Sequence, residues 1–305
     1  MTATWCWEAG GLRSERRNRL EYWLVRLILA TVSYGPTRFL GPVYAKLLDL
    51  AVPKLRRVAR RNCELTGMDP RLIDGVFRSI GRMLVCFARF PRINQENVRE
   101  WIRYEGFEHY EAAKAKGKGV LFATLHLGNW ELSAYAHALL TEPMHIIVRP
   151  LDNPLLDALV RKRRTGSGNI VFGKSDGIRP IYRALEANQP VGILVDQNVG
   201  LDDGLFVNFF GRKACVSPTF AKLAARTGAT VIPGYAVWSN EERKYILRFD
   251  PPVGITGNVL VDTQRIQNAL ERAIRAYPDQ WLWIHRRWKT RPPGESPIYE
   301  GAAEG

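Results

Sequence analysis

The residues best suited to chemistry stand at His126-Leu-Gly-Asn-Trp-Glu131, directly after the apolar run Gly119–Leu125. A run of that kind reads as a buried strand, so it delivers a histidine to the carboxyl edge of a sheet, with a carboxylate five positions on and a glycine between them. The spacing suits a general base: His126 takes a proton from a substrate hydroxyl, and Glu131 holds the imidazole in one tautomer and stabilises the imidazolium. Asn129, inside the same stretch, could bond substrate or shape the loop. Arg149 follows a second apolar run and could grip a phosphate or an oxyanion with two parallel hydrogen bonds. Asp196 ends a third, Val191–Val195, where a carboxylate is costly unless it orients Arg149 or another cation or binds hydroxyls. His285, Arg286 and Arg287 put further cations beside tryptophan, suited to a phosphorylated headgroup or a solvated surface.

Other chemistries fit poorly. Gly166-Ser-Gly168 lacks the G-x-S-x-G elbow of a serine hydrolase. Cys215 follows two cations but has no histidine partner at a recognisable spacing. The four cysteines (Cys6, Cys63, Cys86, Cys215) are scattered, and the five histidines show no metal-binding pair, so neither a disulfide framework nor a metal or other cofactor is expected. No phosphate-binding glycine loop is present.

The reactive residues need a sheet to place them. From Trp101, strand-like runs at 119–125, 144–149, 169–172, 190–195, 230–237 and 244–250 alternate with helical patterns near 130–140, 153–164, 177–188, 217–228 and 262–277. That texture predicts an α/β fold with a mixed, largely parallel central sheet and helices on both faces. Sites in such sheets lie beyond the carboxyl ends of the strands, where His126, Arg149 and Asp196 would converge. Residues 1–100 read as a helical, membrane-associating extension, 101–290 as the α/β core, and 291–305 as a linker-like, disordered tail.

The chain of 305 residues carries a net charge of +14, unevenly spread. Between Gly10 and Arg61, twelve basic residues face three acidic ones. Such a field attracts anionic lipid, nucleic acid or an acidic protein, and the absence of a nucleic-acid-binding motif ranks nucleic acid below membrane. Leu20–Tyr34 is apolar but shorter than the ~20 residues of a span and carries Arg26. It reads as an interfacial helix with Tyr22, Trp23 and Tyr34 at headgroup depth.

In order and spacing, His126–Glu131, Arg149-Pro-Leu-Asp-Asn-Pro154, Val195-Asp-Gln-Asn198, Phe206–Gly211 and Pro278–Lys289 resemble the lipid A biosynthesis acyltransferases, the late lauroyl/myristoyl transferases of the lysophospholipid acyltransferase-like superfamily. The resemblance covers about residues 20 to 292. It implies an O-acyltransferase with no covalent acyl-enzyme, acyl carrier protein as donor and a lipid A precursor or related glycolipid as acceptor. It also implies a position on the cytoplasmic face of the inner membrane. Acyl-CoA as donor, with a phosphatidylinositol mannoside or lysophospholipid as acceptor, is the alternative; a non-catalytic membrane-binding protein is the rival from another class. Related sequences often carry Asp-His-Asp where this chain has Asp196-Gln197-Asn198, so a second acid at the third position is not available here.

Overall fold

The computed structural model describes residues 4–173 and 177–299, with the side chains of 4–14, 37 and 38 left out. Four helices come first: α1 (Thr4–Tyr34), α2 (Thr37–Ala51), α3 (Pro53–Thr66) and α4 (Ile73–Arg89). α4 has apolar residues at helical spacing and buries Ile73, Val76 and Phe77 in the main core. α2 carries Pro42 inside it. Pro42 lies in the second turn, where little intrahelical bonding precedes it to be lost. Beside it, Gly41 faces Gly81 of α4 so closely that a Cβ on Gly81 would lie 2.6 Å from the Gly41 carbonyl oxygen. Two bare glycines thus let the helix backbones meet.

The α/β part is built on a seven-stranded sheet. Its strands are β1 (Ile102–Glu105), β2 (Val120–Thr124), β3 (His145–Val148), β4 (Ile170–Gly173), β5 (Pro190–Leu194), β8 (Thr230–Ser239) and β9 (Lys244–Phe249). Across the sheet they run β1-β9-β8-β2-β5-β3-β4. Only the β8–β9 pair is antiparallel. The mixed, largely parallel sheet is therefore as the strand–helix alternation implies. Helices α5 (Val98–Trp101), α6 (Phe107–Lys114), α7 (Trp130–Leu140), α8 (Pro154–Thr165), α9 (Arg179–Glu186), α10 (Thr219–Thr227) and α11 (Val259–Ala276) complete it. β2 divides its side chains between two cores, Leu121 and Ala123 in one and Val120 and Phe122 in the other, so the sheet is buried on both faces.

Three features depart from the sequence reading. Strand β1 and helix α6 were too short to register as periodic patterns. A separate hairpin, β6 (Leu205–Phe209) and β7 (Arg212–Val216), turns at Phe210-Gly211, both at positive φ. Phenylalanine is a poor turn residue, but here its ring packs on Trp281 and Trp283, and that burial holds it there. Of residues 291–299, expected as a loose tail, the last two pack against α3: the Ile298 carbonyl accepts from Arg61, Tyr299 is 5% exposed, and its hydroxyl donates to Asn62 and accepts from the Trp288 amide. Residues 300–305 lie outside the described part.

Among the described residues, no helix is long and apolar enough to cross a membrane. α1 instead packs Leu29 and Val32 inward and exposes Leu20, Trp23, Leu24 and Leu27; α2 exposes Phe39, Val43, Leu47 and Leu50.

The glycine crossing is testable. Alanine is the better helix former by about 1 kcal/mol, yet Gly81→Ala should lower the melting temperature by several degrees, because α2 must move off α4. An unchanged or higher melting temperature would show that the crossing is loose.

Candidate active site

The carboxyl edge of the parallel strands gathers the reactive groups. His126 lies two residues beyond β2, Asp196 two beyond β5 and Arg149 one beyond β3. The loop His126–Asn129 is fixed on every side. The Leu282 amide donates to the His126 carbonyl, Gly128 N–H to the Gln280 carbonyl, and Asn129 N–H to the Ala236 carbonyl. Gly128 has φ +63°, and a Cβ there would meet the Ala236 carbonyl oxygen at 2.0 Å, so only glycine closes this loop.

The imidazole of His126 is oriented by Asp196. Nδ1 donates to Asp196 Oδ1 at 2.8 Å. Asp196 Oδ2 accepts from the His126 backbone N–H and from Trp281 Nε1, each at 2.8 Å. Asp196 is 0% exposed. Burial alone would raise its pKa, but the His126 charge and hydrogen bond, together with His285 and the Trp281 N–H, hold it well below the usual carboxylate range. Nε2 of His126 faces the Gln197 amide at 3.4 Å. The orienting role expected of Glu131 is thereby filled by Asp196. Glu131 turns away to a two-pronged pair with Arg164 of α8, Oε2 to Nε at 2.9 Å and Oε1 to a terminal nitrogen at 2.5 Å. The reason is helical: Glu131 is in the first turn of α7, which points it across to α8 while His126 projects from the loop before.

Arg149 is exposed at the same edge and has no ion-pair partner among the described residues. β5 lies between the strands that carry His126 and Arg149, and Asp196 at its end bonds His126 on the β2 side. Asn129 is buried and caps α7, its side-chain oxygen accepting from the Leu132 amide. It therefore shapes the loop. The three cations near the carboxyl end separate. Arg287 is 0% exposed, bonded to the carbonyls of Cys215 and Gln197 and to Gln267, with its guanidinium over Phe209. Burial lowers its pKa to about 10, and sealed in this way it cannot reach a headgroup. Arg286 lines an open basic groove with Lys54, Arg57, Arg60 and Arg61 of α3. His285 lies near Asp196 and His126, and burial drops its pKa to about 4.

Trp281, Arg164 and Gln197 are the site residues that sequence reasoning passed over. Trp281 stands in the quoted Pro278–Lys289 stretch, but nothing in its spacing shows an indole N–H aimed at a carboxylate 85 positions away. No cluster of three or more metal-ligating side chains occurs among the described residues. Cys215 is buried, which raises its thiol pKa and leaves it inert.

Two histidines make the fold acid-sensitive. His137, on the buried face of α7, and His285 both have pKa values lowered by burial to about 4, against about 6.5 in an unfolded chain. Between those values the unfolded chain binds more protons, so stability is complete above about pH 6.5 and falls as the pH drops towards 4. Thermal unfolding followed from pH 7.5 to 4.5 should show this decline, and His137→Phe should reduce its slope whatever it does to stability at pH 7.5. An equal slope in the variant would mean that His137 does not contribute.

Residues 13–290 match the family described as bacterial lipid A biosynthesis acyltransferase. Among curated relatives, the Escherichia coli lipid A biosynthesis palmitoleoyltransferase is 28% identical, with 91% of this chain and 95% of that protein covered. A Haemophilus influenzae lipid A biosynthesis acyltransferase is 26% identical over 90% of this chain and 89% of its own length. The Escherichia coli lipid A biosynthesis lauroyltransferase is 26% identical over 90% and 94%. The chain belongs to the bacterial lipid A biosynthesis acyltransferase family.

Proposed function

We propose that this protein transfers a fatty acyl chain from acyl carrier protein to a hydroxyl of a lipid A precursor, with His126 as general base. The observation that carries the chemistry is the His126–Asp196 hydrogen bond, which puts the proton on Nδ1 and leaves Nε2, met by the Gln197 amide at 3.4 Å, as the imidazole's basic atom. In the reaction, Nε2 takes the acceptor's hydroxyl proton and the oxygen attacks the thioester carbonyl. The tetrahedral intermediate then expels the thiolate, which recovers the proton from the imidazolium. An ester forms, a thiol leaves, and the enzyme is never acylated. A thioester is already activated, so the protein need only remove the proton, stabilise the oxyanion and hold two substrates together. Arg149, exposed at the same edge, is the group for the oxyanion or an acceptor phosphate.

The donor assignment rests on the resemblance and on charge: acyl carrier protein is acidic, and this chain is strongly basic. Attachment to the cytoplasmic face of the inner membrane rests on α1 and α2, whose exposed Leu20, Trp23, Leu24, Leu27, Val43 and Leu47 adjoin a basic stretch. Anionic lipid suits both parts of that surface.

His126→Ala should cut turnover at least ~100-fold, the lower end for loss of a general base, and lower the melting temperature, because buried Asp196 loses one of its three donors. Asp196→Asn should lose most activity, and the double variant should be hardly worse than the worse single one, because the two act as a unit. Near-wild-type transfer by His126→Ala would end this account. Arg149→Lys should stay folded yet fall well below wild type, since a point charge lacks the planar fork; full activity would show that charge alone suffices there. Replacing Leu20, Trp23 and Leu24 together by glutamate should release the protein from anionic vesicles while transfer to a detergent-dispersed acceptor persists. Unchanged vesicle binding would place the anchor elsewhere.

A further inference from the structure

Acyl transfer leaves one space on the reactive face unassigned. A narrow cavity lies between the sheet and α7. Side chains alternate along β2, so Phe122 and Thr124, which line the cavity, project to the same side as His126. One end is marked by Trp130 and the Glu131–Arg164 pair. The Trp130 ring lies 4.9 Å from the His126 imidazole, so this end opens at the base. From there the walls are Ala134 of α7, Ile146 and Val148 of β3, and Leu194 of β5. The charged lining residues, Glu131 and Arg164, satisfy each other. The polar lining side chains are Thr124, Ser133, which bonds the Trp130 carbonyl, and His137, kept uncharged by burial. A sugar or phosphate would find no charge to meet it there, whereas a hydrocarbon chain displaces poorly held water and gains apolar contact.

The far end is Met144, just before β3. Gly192, in the middle of β5, leaves open the space into which the Met144 side chain extends: a Cβ at Gly192 would lie 2.8 Å from Met144 Cε. Val148 to Met144 is four residues of strand, about 13 Å, which accommodates an extended chain on the order of ten carbons.

We propose that this cavity seats the donor's hydrocarbon chain and that Met144, lying across Gly192, is the stop that sets how long a chain it takes. The proposal rests on the acyl-transfer reading. Methionine is unbranched and flexible, so it closes the cavity without fixing a rigid wall, and trimming it lengthens the space along the chain's own direction.

The test is the full chain in detergent with a lipid A precursor as acceptor and dodecanoyl, tetradecanoyl and hexadecanoyl thioesters of acyl carrier protein as donors, read as kcat/KM for each. Each extra methylene buried is worth roughly four-fold on the transfer scale. Met144→Ala should therefore raise the hexadecanoyl-to-dodecanoyl ratio by at least ten-fold, and Gly192→Leu, which fills the same space, should lower it. A merely structural role would depress all three donors alike. Wild-type transfer with a ratio indifferent to both substitutions would overturn this proposal and leave acyl transfer standing. Absence of wild-type transfer from every thioester would overturn both.

Discussion

A carboxylate at 0% exposure, Asp196, is the constraint on which the site depends. An ionised group without water must be compensated on all its lone pairs or it takes up a proton. Three donors reach Asp196: the His126 ring, the His126 amide and the Trp281 indole. Each comes from a different commitment of the fold. The amide requires the bend after β2, the ring requires the imidazole to turn inwards, and the indole requires the carboxyl-terminal stretch to return to the sheet. Removing one leaves a buried charge short of a partner, so the three segments fold to one arrangement or the site does not form.

The aromatic cluster makes that arrangement stable. Trp281, Trp283 and Trp288 are each fully buried, and Phe209 and Phe210 from the β6–β7 hairpin pack against them. Asn62 of α3 donates to the carbonyls of Trp283 and His285, tying the amino-terminal helices to the same segment. The helices ahead of the sheet are therefore part of the site's support as well as a surface facing outward. Arg287, read as one of a cluster of cations, belongs to this support: it binds two carbonyls and Gln267, and its planar guanidinium stacks on Phe209 where a solvated charge could not sit.

What the sequence revealed follows from the range of its signals. Strand ends are legible because an apolar run followed by a polar residue is a local pattern, and so His126, Arg149 and Asp196 could be placed at one edge. Which of them touch is decided across the sheet. Glu131 is five positions from His126 and looked like its partner; Asp196 is seventy away and is the partner, because β5 lies beside β2. The short strand β1 and the hairpin at Phe210-Gly211 carried no recognisable period or turn pair. Their conformations come from tertiary packing. The pairing of Glu131 with Arg164 was equally hidden, since Arg164 closes a basic run on α8 that by itself reads as solvated.

The central claim is that Asp196 fixes the His126 imidazole with Nδ1 protonated and Nε2 unprotonated. Proton–nitrogen correlation spectra of ring-labelled histidine, compared between wild type and Asp196→Asn under alkaline conditions, read that tautomer directly. The account predicts a His126 resonance with the proton on Nδ1, shifted or lost in the variant. A His126 ring protonated on Nε2, or one indifferent to Asp196→Asn, would contradict it.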